Sequence, residues 1–111
     1  GEMTIVLPYA STLLTSGQAP EAYTLLTDMA SRNASNPQVH KLLAQAAGAT
    51  GHTAQTHTAM AQYYFLNGYT NQAIEQLKLA EKSPRLSSYE IERIQARIGD
   101  LEALLELEKL E

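Results

Sequence analysis

Three histidines are the side chains in this sequence best suited to hold a metal ion or move a proton: His40, His52 and His57. His52 and His57 stand five apart, so they do not stack one above the other as a pair four apart would on a helix. They read as ordinary surface or partly packed residues, with His52 in a turn. The close carboxylates Glu90 and Glu92, and Glu106 and Glu108, are separated by two. On a helix such pairs point apart and form a solvated face, whereas acid–base work needs convergence in a cleft. Ser87 and Ser88 read as helix caps rather than nucleophiles, with no histidine nearby in sequence. The run Gly48-Ala49-Thr50-Gly51-His52 has no lysine and cannot cradle phosphate as a P-loop does. With no cysteine there is no disulfide and no thiolate site. The expectation is no catalytic residue, no metal site and no cofactor.

Size and charge narrow the field further. A chain of 111 residues fits one small domain, residues 1–111, with room for a continuous core. The formal charge is -4, and residues 81–111 hold eight of the twelve acidic groups against five of the eight basic ones. That is no footprint for nucleic acid or anionic lipid. Ile5-Val6-Leu7 is too short to span a bilayer, so no transmembrane segment is expected, and no signal peptide is visible. Gly1 ahead of Glu2 and Met3 is compatible with a cleavage scar, which leaves open whether a targeting segment or a further domain preceded it.

The elements that position these residues are helices throughout. Apolar residues recur at three- and four-residue intervals, and glycines or prolines punctuate them. The first helix runs from about Thr4 to Thr15, with a true start close to Pro8, because proline suits a first turn. The second runs from Pro20 or Glu21 to about Arg32, with Ala22, Leu25, Leu26, Met29 and Ala30 inward. Asn36 caps a third helix that takes Pro37 at its first position and covers Gln38 to Ala49. Val39, Leu42, Leu43, Ala46 and Ala47 point inward there, and its alanines with Gly48 permit close helix approach. A fourth covers Thr53 to Leu66 and a fifth about Asn71 to Lys82. Ser87 with Glu90 three residues on has capping-box spacing. The last helix, with Ile91, Ile94, Ile98, Leu101, Leu104, Leu105 and Leu107, resembles one that closes a helical stack.

Gly17, Gly51 and Gly68 are spaced by 34 and then 17 residues. Five residues after each stands a small side chain, Ala22, Thr56 or Ala73, and nine after stands Leu26, Met60 or Leu77. Twelve after stands Met29, Tyr63 or Ala80. A period of this length marks stacked helical hairpins, none of which buries its apolar face alone. Helix pairs cover about 4–32, 37–66 and 70–110, with helix 53–66 shared between pairs. The count is either three pairs or two plus a long cap.

These residues resemble tetratricopeptide repeats. Gly68, Ala73, Leu77 and Ala80 match the consensus, Tyr64 takes the aromatic position before the turn, and Pro84 lies close to the proline that ends a repeat. Gly17, Ala22 and Leu26 match less fully, and Thr56 after Gly51 departs from alanine. The resemblance implies an all-α, right-handed superhelix of antiparallel helix pairs with a long C-terminal capping helix. More narrowly, Met60 to Gly68 followed by Gln72 to Leu77 looks like the C-terminal repeat domain of BepA-like periplasmic zinc metalloproteases, which assist outer-membrane β-barrel assembly. The likeness covers about residues 37–110. The His-Glu-x-x-His motif of that family's upstream protease domain is absent, so no catalysis carries over. What the likeness implies is a scaffold that contacts polypeptide substrate, an envelope assembly partner or the upstream protease domain. It implies a periplasmic location; without it the chain would be read as cytoplasmic.

Placed in the repeat register, Thr58, Gln62 and Phe65 fall on the groove-facing side, with Lys41 and Gln45 at equivalent positions one hairpin earlier. These five are the candidate peptide-binding face. Two arrangements stay open for Phe65: exposed in a groove, or covered by the last helix. Glutamine, threonine and one aromatic favour polypeptide, and the face lacks the cluster of lysines and arginines needed to grip carboxylate or phosphate. The function expected is a noncatalytic protein-interaction scaffold. The alternative is a structural adaptor or dimerisation domain that exposes the Ile/Leu stripe of the last helix.

Overall fold

Three of the five connections close with the same hydrogen bonds. The computed structural model, which describes residues 1–111, ends the helices Glu2–Thr15 (α1), Pro37–Ala49 (α3) and Thr53–Leu66 (α4) in this way. At each, glycine takes a left-handed φ of +78°, +78° and +84°, for Gly17, Gly51 and Gly68. The next amide reaches back to the carbonyl five residues earlier: Gln18 to Leu13 (2.8 Å), His52 to Ala47 (2.9 Å), Tyr69 to Tyr64 (2.9 Å). This is the Schellman closure, which satisfies carbonyls the helix leaves free and which a side chain with Cβ disfavours. Each turn returns the chain into the next helix: Ala19–Arg32 (α2), α4, and Thr70–Glu81 (α5).

The other two connections use different chemistry. Asn36 Oδ1 accepts from the Gln38 amide at 3.0 Å and Pro37 opens α3. His40, buried in α3, bonds the Ala34 carbonyl through Nε2 at 2.8 Å and fastens this loop to the helix. Ser87 and Glu90 form the reciprocal capping box, each bond 3.1 Å, at the start of Ser88–Glu108 (α6). Ahead of it Arg85 takes a φ of 64° in place of a glycine.

Two sequence expectations need correction. Helix α1 begins at Glu2 and passes through Pro8 rather than starting beside it. Pro8 removes the amide that would reach Thr4, but both residues lie on the exposed side, where water can take the freed carbonyl. Arg32 secures this end: it pairs with Glu2 at 3.2 Å and Asp28 at 2.7 Å. The Asp28 hydrogen bond, then the charges of Asp28 and Glu2, hold its pKa above the usual guanidinium value. Gly48, in turn, is not needed for close approach. A Cβ there would meet Thr56 at 3.8 Å, an ordinary contact. Gly48→Ala is therefore expected to raise stability by roughly 0.5–1 kcal/mol; an unchanged or lower urea midpoint would contradict this.

The helices pack in sequence, α1 on α2 and α3, α2 on α3, α3 on α4, α4 on α5, and α5 on α6. The body measures 44 × 34 × 19 Å, about two helix diameters thick. It has two apolar clusters. One joins Ala10, Leu13, Ala22, Leu26, Leu43, Ala44, Ala46 and Ala59. The other joins Ala61, Ala73, Ile74, Leu77, Ala80, Ile94, Ile98 and Leu101. Helix α4 contributes to both, through Ala59 on one side and Ala61 on the other. Two residues turn a helix by about 200°, so the two alanines look in nearly opposite directions. This shared position explains why the larger residues of α4, Met60 and Tyr63 to Leu66, are only half-buried. The alanines are the buried residues of α4, and its bulky side chains keep part of their surface exposed.

Candidate functional site: the α4–α6 groove

Helix α6 returns along α5 and faces α4 across it. No Cα atom of α4 comes within 8 Å of α6, and the gap is an open groove of about 540 Å³. Its floor is apolar: Ala61 from α4, Leu77 from α5, and Ile94 and Leu101 from α6. One wall carries Gln55, Thr58, Gln62 and Phe65 of α4, and the other Glu90, Arg93, Arg97 and Asp100 of α6. Each wall spans eleven residues, roughly 16 Å of helix at 1.5 Å per residue.

Three of the five residues assigned to a binding face, Thr58, Gln62 and Phe65, line this groove together. Lys41 and Gln45 do not. They are exposed on α3, where the Lys41 ammonium lies 5.5 Å from the centre of the Tyr63 ring. The repeat register puts them at equivalent positions, but the groove forms only where a helix two places on turns back to make a second wall. Both arrangements open for Phe65 contain part of the answer. Phe65 lines the groove and is half-buried, and the Arg97 guanidinium sits over its ring, 4.7 Å from the centre. That contact is a cation–π interaction between the two walls.

The expectation of a groove without a cluster of lysines and arginines also needs correction. Arg93 and Arg97 stand in the groove, and neither belongs to an ion pair; the pairs in the chain use Arg32 and Lys109. Arg93 rests near the Tyr89 ring, 5.8 Å from its centre. The spacing Glu90, Arg93, Arg97, Asp100 follows three-, four- and three-residue steps, which mark one helix face. That signal was present in the sequence. Only the packing of α6 opposite α4 shows what the face looks onto.

Thr58 donates to the Gln55 carbonyl at 3.3 Å. The Gln55 and Gln62 amides have no partner in the chain, unlike Gln76, whose Oε1 lies 2.9 Å from His57 Nδ1. The histidines serve three separate contacts. His40 anchors a loop, His57 joins α4 to α5, and His52 stacks flat on Tyr23 at 4.1 Å while Thr50 Oγ1 meets its Nδ1 at 2.7 Å. No group of three or more metal-ligating side chains converges.

The apolar stripe of α6 is largely used inside the chain. Ile94, Ile98 and Leu101 are buried against α5, whereas Leu107 and Leu110 are exposed near the terminus. Thr70 Oγ1 donates to Glu108 Oε1 at 3.3 Å and ties the end of α6 to the start of α5. No helix is long and apolar enough to cross a membrane. A scan against models of known protein families finds no match to this chain, and a search of curated proteins finds no significant match.

Proposed function

We propose that this chain is a noncatalytic polypeptide-binding scaffold of the tetratricopeptide type, which receives an extended segment in the α4–α6 groove. The observation that carries the reading is an apolar floor beside glutamine amides that have no partner. A primary amide both donates and accepts, as a peptide group does, and an extended backbone offers unpaired groups of both kinds. About five extended residues, at roughly 3.3 Å each, match the length of the walls. Side chains on one side of such a segment would reach Phe65 and Leu86, which are half-buried in the lining.

Repeated Schellman turns at Gly17, Gly51 and Gly68, with Ala22 and Ala73 fully buried five residues later, support the tetratricopeptide-like register. The resemblance of residues 37–110 to the repeat domain of BepA-like proteases supports a place beside a zinc protease domain in the periplasm. It favours unfolded outer-membrane proteins or their assembly machinery as partners. The alternative role as adaptor or dimerisation domain would rely mainly on the exposed Leu107 and on Leu110 just beyond α6, because Ile94, Ile98 and Leu101 of the stripe are buried.

The test is an anisotropy titration with fluorescent fragments of unfolded outer-membrane proteins. Saturable binding is expected, weakened about fivefold to tenfold by Gln62→Ala or Phe65→Ala, the scale of one lost hydrogen bond or apolar contact. Saturable binding indifferent to both substitutions would place the site elsewhere.

A further inference from the structure

The groove has a charge pattern that polypeptide binding in general does not require. Arg93 and Arg97 are one helical turn apart, about 6 Å along the axis. Neither has an anionic partner, and Arg97 is held in place by its stack on Phe65. A guanidinium fixed on an aromatic ring keeps its N–H edge free for a planar anion, and less side-chain freedom is lost when one binds. Glu90 and Asp100 stand at the two ends of the arginine pair. Glu90 is held there by its bond to the Ser87 amide. The four charges sum to zero. A polyanion such as nucleic acid would meet repulsion at both ends, whereas single carboxylates fit between them.

We infer that the groove selects acidic peptide segments, with Asp or Glu side chains paired to Arg93 and Arg97 and neighbouring apolar side chains against Phe65 and Leu86. This rests on the polypeptide-binding reading above and adds the class of sequence bound. In an extended segment, alternate residues lie about 6.6 Å apart on one side, close to the spacing of the two arginines. A segment with acidic residues two apart would therefore engage both.

The experiment is a selection of displayed random short peptides on the 111-residue chain, followed by anisotropy on the enriched sequences. Enrichment of Asp or Glu next to Leu, Ile or Phe is expected. Arg93→Gln with Arg97→Gln should weaken those peptides about tenfold per arginine, the value of one charge-assisted hydrogen bond. Arg93→Glu with Arg97→Glu should shift selection to Lys and Arg. Far-UV circular dichroism checks folding; if the double variants do not fold, the single exposed change Arg93→Gln still reports. Neutral or basic peptides that lose affinity on Phe65→Ala would overturn the acidic selectivity and leave the polypeptide groove standing. No enrichment at all would overturn both. Tighter binding when phosphoserine replaces glutamate would reject carboxylate as the preferred group.

Discussion

Leu77→Ala is expected to lower the unfolding free energy by about 3 kcal/mol, within the roughly 2–5 kcal/mol typical of a buried leucine truncated to alanine. Leu77 is 4% exposed and lies where α5 meets the floor of the groove. A domain of this size holds about 5–15 kcal/mol in total, so the melting temperature should fall by roughly 13 °C. The more discriminating result is where the loss is felt. The two apolar clusters share no side chain and meet only through α4. Helices packed in series distribute stability as neighbouring contributions rather than as one indivisible core. Amide exchange in Leu77→Ala should therefore accelerate mainly in α5 and α6, and peptide affinity at the proposed groove should fall. Leu26→Ala, fully buried in the first cluster, should cost a similar amount and accelerate exchange mainly in α1 to α3. If both variants raised exchange evenly along the chain, the two clusters would be one cooperative unit.

Ala73→Leu is the second large effect, and it acts through crowding. Ala73 has no exposed surface and lies in the second cluster with Ala61 of α4. Its amide bonds the Tyr69 carbonyl at 3.0 Å, which fixes the backbone just after the Gly68 turn. A larger side chain has nowhere to go without moving α5 away from α4. Overpacking of this kind costs about 1–3 kcal/mol and sometimes more. Asn71→Leu, two residues earlier on the exposed side, is the control and should stay within about 0.5 kcal/mol. Urea denaturation of the pair would decide the matter, since equal midpoints would mean that α4 and α5 do not pack tightly at Ala73. The displaced helix would also widen the groove, so the proposed peptide affinity should fall in Ala73→Leu and not in Asn71→Leu.

Local signals account for most of what could be read without coordinates. Asn36-Pro37, Ser87 with Glu90, and the glycines at 17, 51 and 68 act within one turn of their own helix, and each does in the structure what its chemistry demands. The small residues Ala22, Ala73 and Ala80 are fully buried, as their distance from the turns implied. Pro8 misled because proline has two compatible positions: the first turn, and an exposed site where the carbonyl it frees can reach water. Gly48 misled because an open flank and a crowded one leave the same mark in a sequence.

The groove belongs to another class of information. Phe65 and Arg97 are 32 residues apart, and their contact depends on how α6 leaves the Lys82–Ser87 connection, where Arg85 adopts the left-handed conformation. Periodicity told which face of α4 carries Thr58, Gln62 and Phe65, and which face of α6 carries Arg93 and Arg97. It could not tell that these faces look at each other, because the hydrophobic attraction that docks α6 on α5 has no direction of its own. The sequence by itself determined the helices, their caps, their turns and the small residues buried after those turns. Tertiary packing alone decided that α4 serves two cores, that Lys41 and Gln45 stand apart from the other three, and that an arginine pair completes the opposite wall. The physical reason is range: caps and turns are settled within about four residues of chain, whereas a site between two helices depends on the relative placement of segments that only the folded core holds together.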